Sequence, residues 1–197
     1  MIELIPETYV APLDLLAIFG RIAPLDVDLG CGNGDLLCEL AHRHPARNFL
    51  GIEKLLGRVA KARRKSANLE NVRVLNVESC YAIRYLLPEA SVQNFYLLFP
   101  DPWPKRRHHR RRIVTREFLD SIHRALEPGG LLHIATDQLD YFTQMQRIAD
   151  LPGKLECLKH SSFRQDVDLP LTKFERRFSD QGAPIYRLVL RKISPVR

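Results

Sequence analysis

Five carboxylate side chains recur along the chain, each at or just beyond the end of a short apolar run. They are Asp28, Glu53, Glu78, Asp101 and Asp137. In a parallel sheet the carboxyl ends of the strands meet at one edge, and ligands bind in the crevice beyond it. We therefore expect these acids to gather there. A crevice rich in negative charge disfavours a pyrophosphate group and favours a cationic ligand.

The first of these acids opens a glycine-rich segment, DLGCGNG, that contains Gly30, Gly32 and Gly34. Glycine lets the backbone turn sharply and approach a ligand closely. The spacing GxGxG differs from the GxGxxG of dinucleotide sites, and alone it fits an ordinary turn between a strand and a helix. Glu53 follows at about the distance at which an acid accepts hydrogen bonds from ribose hydroxyls. A nucleoside with positive charge fits both features, and S-adenosylmethionine is a sulfonium with a ribose and an adenine.

The segment FPDPWPKRRHHRRR, residues 99–112, combines a carboxylate, the only tryptophan of the chain and a run of cations. Residues 105–112 carry six of the Lys and Arg side chains, so the rest of the chain is nearly neutral against a total of +7. Concentrated cations indicate contact with a polyanion, although such a run can also be a solvated surface. Trp103 either stacks on a base or packs the loop. The candidate phosphate contacts are Arg106, Arg107, Arg110, Arg111 and Arg112.

The elements that must position these residues alternate between strand and helix. This alternation predicts a single Rossmann-like α/β domain with a mostly parallel, seven-stranded sheet and helices on both faces. We expect the domain to span residues 25–197, after a short N-terminal segment of residues 1–24. The connection over residues 161–184 is long and polar, which is typical of a functional or mobile loop. The predicted strands are 25–29, 48–52, 72–77, 92–99, 131–135, 155–159 and 186–192, and the predicted helices are 35–41, 56–66, 81–87, 116–126 and 141–148.

Several classes of protein are disfavoured by composition. The four cysteines form no CxxC pair, and no histidine lies at zinc-ligand spacing from them, so we expect reduced thiols and no metal site. The N-terminus lacks the cationic start of a signal peptide. No apolar stretch approaches the length of roughly 20 residues that a membrane span requires. These features predict a cytoplasmic protein that does not bind membranes.

Five segments together make the chain resemble the bacterial tRNA (guanine-N7-)-methyltransferase family, from about residue 25 to the C-terminus. The segments PDPWPK and TKFE are more specific to that family than the glycine motif. The resemblance implies a class I methyltransferase fold and methyl transfer from S-adenosylmethionine to N7 of a variable-loop guanosine in tRNA. It also implies a monomer or homodimer without an obligate partner subunit. The segments are LDVDLGCGNG, GIE, FPDPWPKRRHHRRRIV, ATD and TKFERR.

The resemblance also implies a role for individual residues. Asp101 matches the acid at the reaction centre, where it would also contact the cofactor. Glu78-Ser79 stands where Asp-Ala is more usual in the family, which affects the adenine side. The implied cofactor contacts are Asp28, Gly30, Gly32, Gly34, Glu53, Glu78 and Asp101, and the implied substrate contacts are Lys105, Asp137, Thr172 and Glu175.

The proposed chemistry agrees with the residue types. Guanine N7 carries a lone pair and no proton, so its methylation needs orientation and electrostatic stabilisation but no general base. Three alternatives remain: a methyltransferase with another acceptor, a non-catalytic RNA-binding scaffold on this fold, and a dinucleotide oxidoreductase. The basic segment argues against a small-molecule acceptor. The intact glycines and acids argue against a scaffold, and the GxGxG spacing argues against a dinucleotide site.

Overall fold

The computed structural model describes residues 3–151, 155–161, 169–170, 172, 175–176 and 182–193. Within this part the strands form one sheet of eight members, in the spatial order β1-β4-β3-β2-β5-β6-β8-β7. The pairs from β1 to β6 are parallel, and β8 is antiparallel to both β6 and β7. The strands are β1 (Glu3–Leu4), β2 (Leu25–Leu29), β3 (Asn48–Ile52), β4 (Val72–Leu75), β5 (Val92–Leu98), β6 (Leu126–Thr136), β7 (Leu155–Ser161) and β8 (Tyr186–Lys192).

Helices follow most of the parallel strands. A π-helical turn, Ala82–Leu86, continues the short helix α4, and a 3₁₀ helix, Arg106–Arg111, contains most of the basic run. The α-helices are α1 (Leu15–Phe19), α2 (Asp35–Arg43), α3 (Leu56–Lys65), α4 (Ser79–Tyr81), α5 (Arg116–Ala125) and α6 (Leu139–Ala149).

The sheet is covered on both faces, as the sequence predicts. One apolar cluster contains the buried side chains of α5, α6 and the π-helical turn, and the other contains those of α2 and α3. All five residues of β2 and of β3 are buried, as is typical of central strands of a parallel sheet that is covered on both faces. The prediction of one mostly parallel α/β sheet with helices on both faces is confirmed.

The predicted number of strands is wrong by one. The additional strand, β1, has two residues and pairs with β4 through Glu3 and Val74 and through Leu4 and Leu75. Two residues are too few for a periodic pattern to be recognised. The segment of residues 1–24 therefore contributes an edge strand to the sheet.

The sixth strand also begins earlier than the sequence suggests. β6 begins at Leu126, and its register against β5 shifts between Val92 and Asn94. A Cβ on Gly130 would lie 2.9 Å from the carbonyl oxygen of Gln93, so glycine lets the two strands approach at this irregularity. Most of the connection predicted over residues 161–184 lies outside the described residues. In the part of the chain that is described, no helix has the length and apolar character needed to cross a membrane.

Candidate active site

A crevice of about 460 Å³ opens at the carboxyl ends of β2, β3 and β5. It is lined by Gly30, Glu53, Glu78 and Asp101, together with apolar residues from the end of β5. Three of the five strand-end acids therefore meet around one space. Such a crevice is where an α/β sheet of this kind binds its ligand.

The glycine turn is held against the end of β3. The backbone N–H groups of Gly30 and Cys31 donate to the carbonyl of Ile52 at 2.8 and 3.0 Å. Gly34 has a φ of +76°, and a Cβ there would lie 3.0 Å from Cβ of Ala62. A larger residue would be strained at this position and would collide with α3, so the turn requires glycine.

Glu53 is the most firmly oriented acid in the crevice. Its side chain is almost fully buried and accepts hydrogen bonds from the N–H of Gly32 at 3.2 Å and of Leu55 at 2.9 Å. An ionised carboxylate has about four acceptor sites, so acceptor capacity remains for a ligand. The guanidinium of Arg58, on the first turn of α3, lies 3.7 Å from Glu53 Oε2.

Asp28 lies behind the glycine turn and does not line the crevice. The residue is 5 % exposed, and burial, with a smaller contribution from the charge of Glu53, raises its pKa from 3.8 to about 7. The cause is that a carboxylate loses its hydration in the interior. A cation near the Asp28–Glu53 pair would favour the ionised form of Asp28.

Glu78 lines the crevice from the N-terminus of α4. Its Oε2 accepts a hydrogen bond of 2.9 Å from the N–H of Tyr81, and Ser79 lines the same space. Burial, with Glu78 as a further cause, raises the pKa of the neighbouring Cys80 thiol to about 12. Cys80 is therefore a neutral thiol near pH 7 and not a ready nucleophile.

Asp101 is exposed on the loop that leaves β5. The loop begins with a hydrogen bond of 2.8 Å from the N–H of Phe99 to the carbonyl of Ala135. Phe99 and Trp103, two residues on either side of Asp101, have φ values of +54° and +45°. Non-glycine residues adopt this conformation at a cost, so surrounding contacts must hold the loop in place.

Trp103 lies at the rim of the crevice and also contacts the basic helix. The guanidinium of Arg111 lies 4.9 Å from the centroid of the Trp103 ring, and the ring of His108 lies 5.9 Å away in an edge-on arrangement. Trp103 lines the crevice as well. Both sequence interpretations therefore have a structural basis, because the ring packs the loop and borders the space in which a base would lie.

One residue of the basic run departs from its predicted role. Lys105, Arg106, Arg107, Arg110 and Arg111 are exposed, whereas Arg112 is 3 % exposed. The side chain of Arg112 donates to Pro102, Gln144 and Asp140. Its guanidinium is buried and its hydrogen-bonding groups are already used, so the predicted contact with the RNA backbone stays a prediction that this arrangement does not support.

The four predicted substrate contacts lie apart from the lining of the crevice. Asp137 follows β6, is half-buried and accepts a hydrogen bond of 2.6 Å from the side chain of Gln138. Thr172 and Glu175 bond reciprocally through their backbone N–H groups and side chains, which is the pattern of a helix-capping box. Glu175 is buried against Arg187 of β8 at 2.8 Å. Lys173 and Phe174 of the TKFE segment lie outside the described residues.

Lys54 and Arg58 line the crevice, and sequence reasoning did not single them out. The sequence does contain a signal. The helix α3 begins three residues after Glu53, so its first turn must lie over that acid. Of the two cations, Arg58 is the one that lies near the carboxylate, 3.7 Å from Glu53 Oε2.

This sheet order and this crevice define a class I, Rossmann-like methyltransferase. Among solved structures, the fold is similar to a SAM dependent methyltransferase from Aquifex aeolicus, with a TM-score of 0.61, 16% identity and coverage of 91% of this chain and 88% of that one. It is also similar to the 16S rRNA methyltransferase KamB, with a TM-score of 0.62, 13% identity and coverage of 90% and 92%. At such identities the likeness concerns the fold.

Sequence relatives narrow the class to a family. A family described as "Putative methyltransferase" matches residues 22–188. A tRNA (guanine-N(7)-)-methyltransferase from Thermotoga maritima is 37% identical over 195 residues, which is 97% of this chain and 61% of that protein. Proteins of the same name from Halorhodospira halophila and Leifsonia xyli are 38% and 41% identical, cover 95% and 92% of this chain, and are each 82% covered by it. The chain belongs to the tRNA (guanine-N(7)-)-methyltransferase family.

Proposed function

We propose that this protein transfers the methyl group of S-adenosylmethionine to N7 of a guanosine in tRNA. The observation that carries the proposal is the meeting of Glu53, Glu78 and Asp101 around one crevice, with exposed arginines of the 3₁₀ helix beside it. The names of the relatives agree with this substrate. The target proposed within tRNA is the guanosine of the variable loop.

The donor set of the crevice suits S-adenosylmethionine. Glu53 has acceptor capacity for ribose hydroxyls, and Glu78 presents a carboxylate on the adenine side. Gly30 offers a surface without a side chain, and Asp28 adds negative potential from behind the turn. Gly32 and Gly34 fix the shape of the turn rather than line the space. The carboxylates of the crevice favour a ligand that carries a sulfonium, and the cations Lys54, Arg58 and Arg111 line the same space.

Asp101 is proposed as the central residue of the reaction. When bound, S-adenosylmethionine supplies an electrophilic methyl group, which guanine N7 can accept with the lone pair it already carries. The Asp101 carboxylate would accept hydrogen bonds from the N1–H and amino groups of guanine, which orients the base. Its negative charge also stabilises the positive charge that develops on the purine. No proton is removed from N7, so the reaction needs no general base. The neutral thiol of Cys80 therefore need not act as one.

The exposed cations Lys105, Arg106, Arg107, Arg110 and Arg111 are proposed to hold the tRNA backbone. Contacts to phosphate position the nucleic acid and make its affinity dependent on salt concentration, without specifying sequence. Asp137 is proposed to contact the substrate at the end of β6. Thr172 and Glu175 would support the substrate side by fixing the chain near β8.

The remaining features of the proposal concern the protein as a whole. We propose that residues 25–197 form the methyltransferase domain, completed by the edge strand of residues 1–24. We further propose a cytoplasmic enzyme that acts as a monomer or homodimer and needs no partner subunit.

The decisive experiment uses methyl-labelled S-adenosylmethionine and unmodified bulk tRNA, followed by digestion and identification of the labelled nucleoside. Label in 7-methylguanosine is the expected result. Label in another nucleoside would keep a tRNA methyltransferase and reject N7 of guanine as the acceptor. No label in tRNA, from folded protein that binds S-adenosylmethionine, would reject the proposed substrate.

A further inference from the structure

We infer that Arg84 and Tyr85 of the π-helical turn form a second contact surface for the RNA substrate. Arg84 lines a groove that continues from the crevice, opposite the basic 3₁₀ helix, and Tyr85 is the exposed residue next to it in the chain. The inference rests on the proposed function, because it assigns the groove to the strand of tRNA that flanks the target nucleotide. Neither residue belongs to the basic run of residues 105–112.

The groove has a volume of about 340 Å³ and lies next to the crevice. The two spaces share Glu78, Arg111 and Ile113 as lining residues. Arg84 and Ile83 line the groove from the π-helical turn, and Arg110 and Arg111 line it from the basic helix. A polymer with one nucleotide in the crevice can therefore continue along the groove without leaving the surface.

The charges along the groove suit a phosphate backbone. Arg84, Arg110 and Arg111 are exposed and come from two separate elements, so the positive charge does not belong to the 3₁₀ helix alone. Within the described residues, no carboxylate forms an ion pair with any of the three. Guanidinium groups that are not already paired are available for phosphate oxygens.

Two carboxylates also line the groove, and both are engaged at the beginning of a helix. Glu78 accepts a hydrogen bond from the N–H of Tyr81. Hydrogen bonds from the backbone at Glu117, and a further one from Thr115, hold the pKa of Glu117 below its usual value. Both carboxylates keep their charge, but Arg84, Arg110 and Arg111 outnumber them, so the groove has an excess of positive charge.

Two of the arginines that line the groove, Arg84 and Arg111, each lie over an aromatic ring. The guanidinium of Arg84 lies 5.3 Å from the centroid of the Tyr85 ring, and that of Arg111 lies 4.9 Å from the centroid of Trp103. Tyr85 is 46% exposed. Exposed rings combined with cations are the features by which proteins hold single-stranded nucleic acid.

The π-helical turn that carries Arg84 and Tyr85 is held in place by hydrogen bonds from Arg124 of α5. The side chain of Arg124 donates to the carbonyls of Ile83 at 2.6 Å and of Leu87 at 2.8 Å, which satisfies the end of the π-helical turn. The rings of Tyr81 and Tyr85 lie 4.8 Å apart. A π-helical segment is uncommon and occurs frequently at functional sites. The structure thus presents an ordered cation and ring that do not contribute to the apolar core.

The test compares the affinity of the full-length protein for unmodified tRNA over a series of salt concentrations. Arg84→Ala should raise the Kd for tRNA about fivefold to tenfold and reduce the slope of log K against log salt by about one. Tyr85→Ala should raise the Kd by a similar factor without changing the slope, since it removes stacking and no charge. Arg84→Lys should retain the slope.

The matched control is Arg43→Ala, which removes an arginine that is also exposed but lies at the end of α2, in an i,i+4 pair with Glu39. The control should leave the Kd for tRNA within about twofold of wild type, since Arg43 lines neither the crevice nor the groove. Unchanged affinity for S-adenosylmethionine and an unchanged melting temperature in Arg84→Ala would show that the effect concerns the RNA alone.

Several outcomes would overturn the inference. Wild-type tRNA affinity in both Arg84→Ala and Tyr85→Ala would do so, as would an equal loss in Arg43→Ala or an absence of tRNA binding by the wild-type protein. Because the experiment measures binding and not methylation, its outcome can be distinguished from a failure of the proposed reaction. If wild type binds tRNA but yields no 7-methylguanosine, and Arg84→Ala weakens that binding, the groove is an RNA contact and the proposed reaction is wrong.

Discussion

Arg112 donates a hydrogen bond of 2.8 Å from Nε to the carbonyl of Pro102, the residue that follows Asp101. Its other nitrogens donate to Gln144 at 2.6 Å and Asp140 at 2.5 Å, both on α6. The guanidinium also lies 4.6 Å from the centroid of the Tyr141 ring. One buried cation thus connects the loop that carries Asp101 to α6, and this contact helps to hold the two residues with positive φ.

Replacing Arg112 should therefore impair folding stability and the chemical step more than RNA binding. Arg112→Ala leaves the Pro102 carbonyl and the Gln144 side chain without their donor, at a cost of about 2–4 kcal/mol in the free energy of unfolding. We expect a lower melting temperature and a lower kcat, with a Kd for tRNA close to wild type. Arg112→Lys should recover only part of kcat, because an ammonium cannot reproduce three hydrogen bonds in the plane of a guanidinium.

Arg110→Ala is the control for that variant, since Arg110 is exposed and belongs to the same run. It should raise the Kd for tRNA and leave the melting temperature unchanged. The reverse pattern, with Arg112→Ala stable but weak in RNA binding, would make Arg112 an RNA contact after all.

Asp101 is expected to affect the reaction without affecting the fold. Its side chain is exposed, so Asp101→Asn should keep the melting temperature of wild type. The single-turnover rate of methyl transfer should fall by about 10²–10³, the usual effect of losing one group that stabilises charge in the transition state. A folded Asp101→Asn or Asp101→Ala that methylates at the normal rate would contradict the role assigned here.

Asp28 should make stability depend on pH in a direction opposite to that of a salt-bridged carboxylate. Its pKa is 3.8 in the unfolded chain and about 7 in the folded protein. Between these values the folded protein retains a proton that the unfolded chain has released, so the free energy of unfolding falls as pH rises through this range. Asp28→Asn removes this dependence, and its stability relative to wild type should increase from pH 5 to pH 8 by on the order of 2 kcal/mol.

Denaturant unfolding of both proteins at several pH values measures this difference. A stability difference that is constant from pH 5 to pH 8 would contradict the raised pKa. Binding of a cationic ligand favours ionised Asp28, so the affinity of wild type for S-adenosylmethionine should also rise over this range. In Asp28→Asn this part of the pH dependence should be absent.

The sequence predicts the crevice well because the position of the crevice follows from the order of strands in the sheet. Parallel strands end at one edge, so acids after successive strands must approach one another, and Glu53, Glu78 and Asp101 do. Asp28 is an exception among the acids at the strand ends. It lies in a central strand that is buried on both faces, so the acid remains behind the glycine turn and does not line the crevice.

Features decided by contacts distant in the sequence could not be predicted. Six cations in a run look equivalent, and nothing local distinguishes Arg112 from its neighbours. Its burial depends on Asp140, Tyr141 and Gln144, about 30 residues later, through α6 packing against the loop. The groove at Arg84 was missed for the same reason, since it exists only where the π-helical turn and the basic helix face each other.

The last prediction concerns Gly51, a glycine of β3 that lies next to the glycine turn. A Cβ on Gly51 of β3 would lie 2.7 Å from Leu37 Cδ2 and 2.8 Å from Cys31 Sγ. Both neighbours are buried, so Gly51→Ala must displace them, at a cost of about 1–3 kcal/mol in the free energy of unfolding. Because Cys31 belongs to the turn and donates to the carbonyl of Ile52, the turn should shift and the affinity for S-adenosylmethionine should fall.

Gly57→Ala is the matched control, because nothing lies within 4 Å of its Cβ position in α3. It should stabilise the protein by about 0.5–1 kcal/mol and leave the affinity for S-adenosylmethionine unchanged. Thermal unfolding and calorimetric binding measure both quantities, and equal effects of the two substitutions would mean that the space beneath the turn is not what requires glycine at position 51.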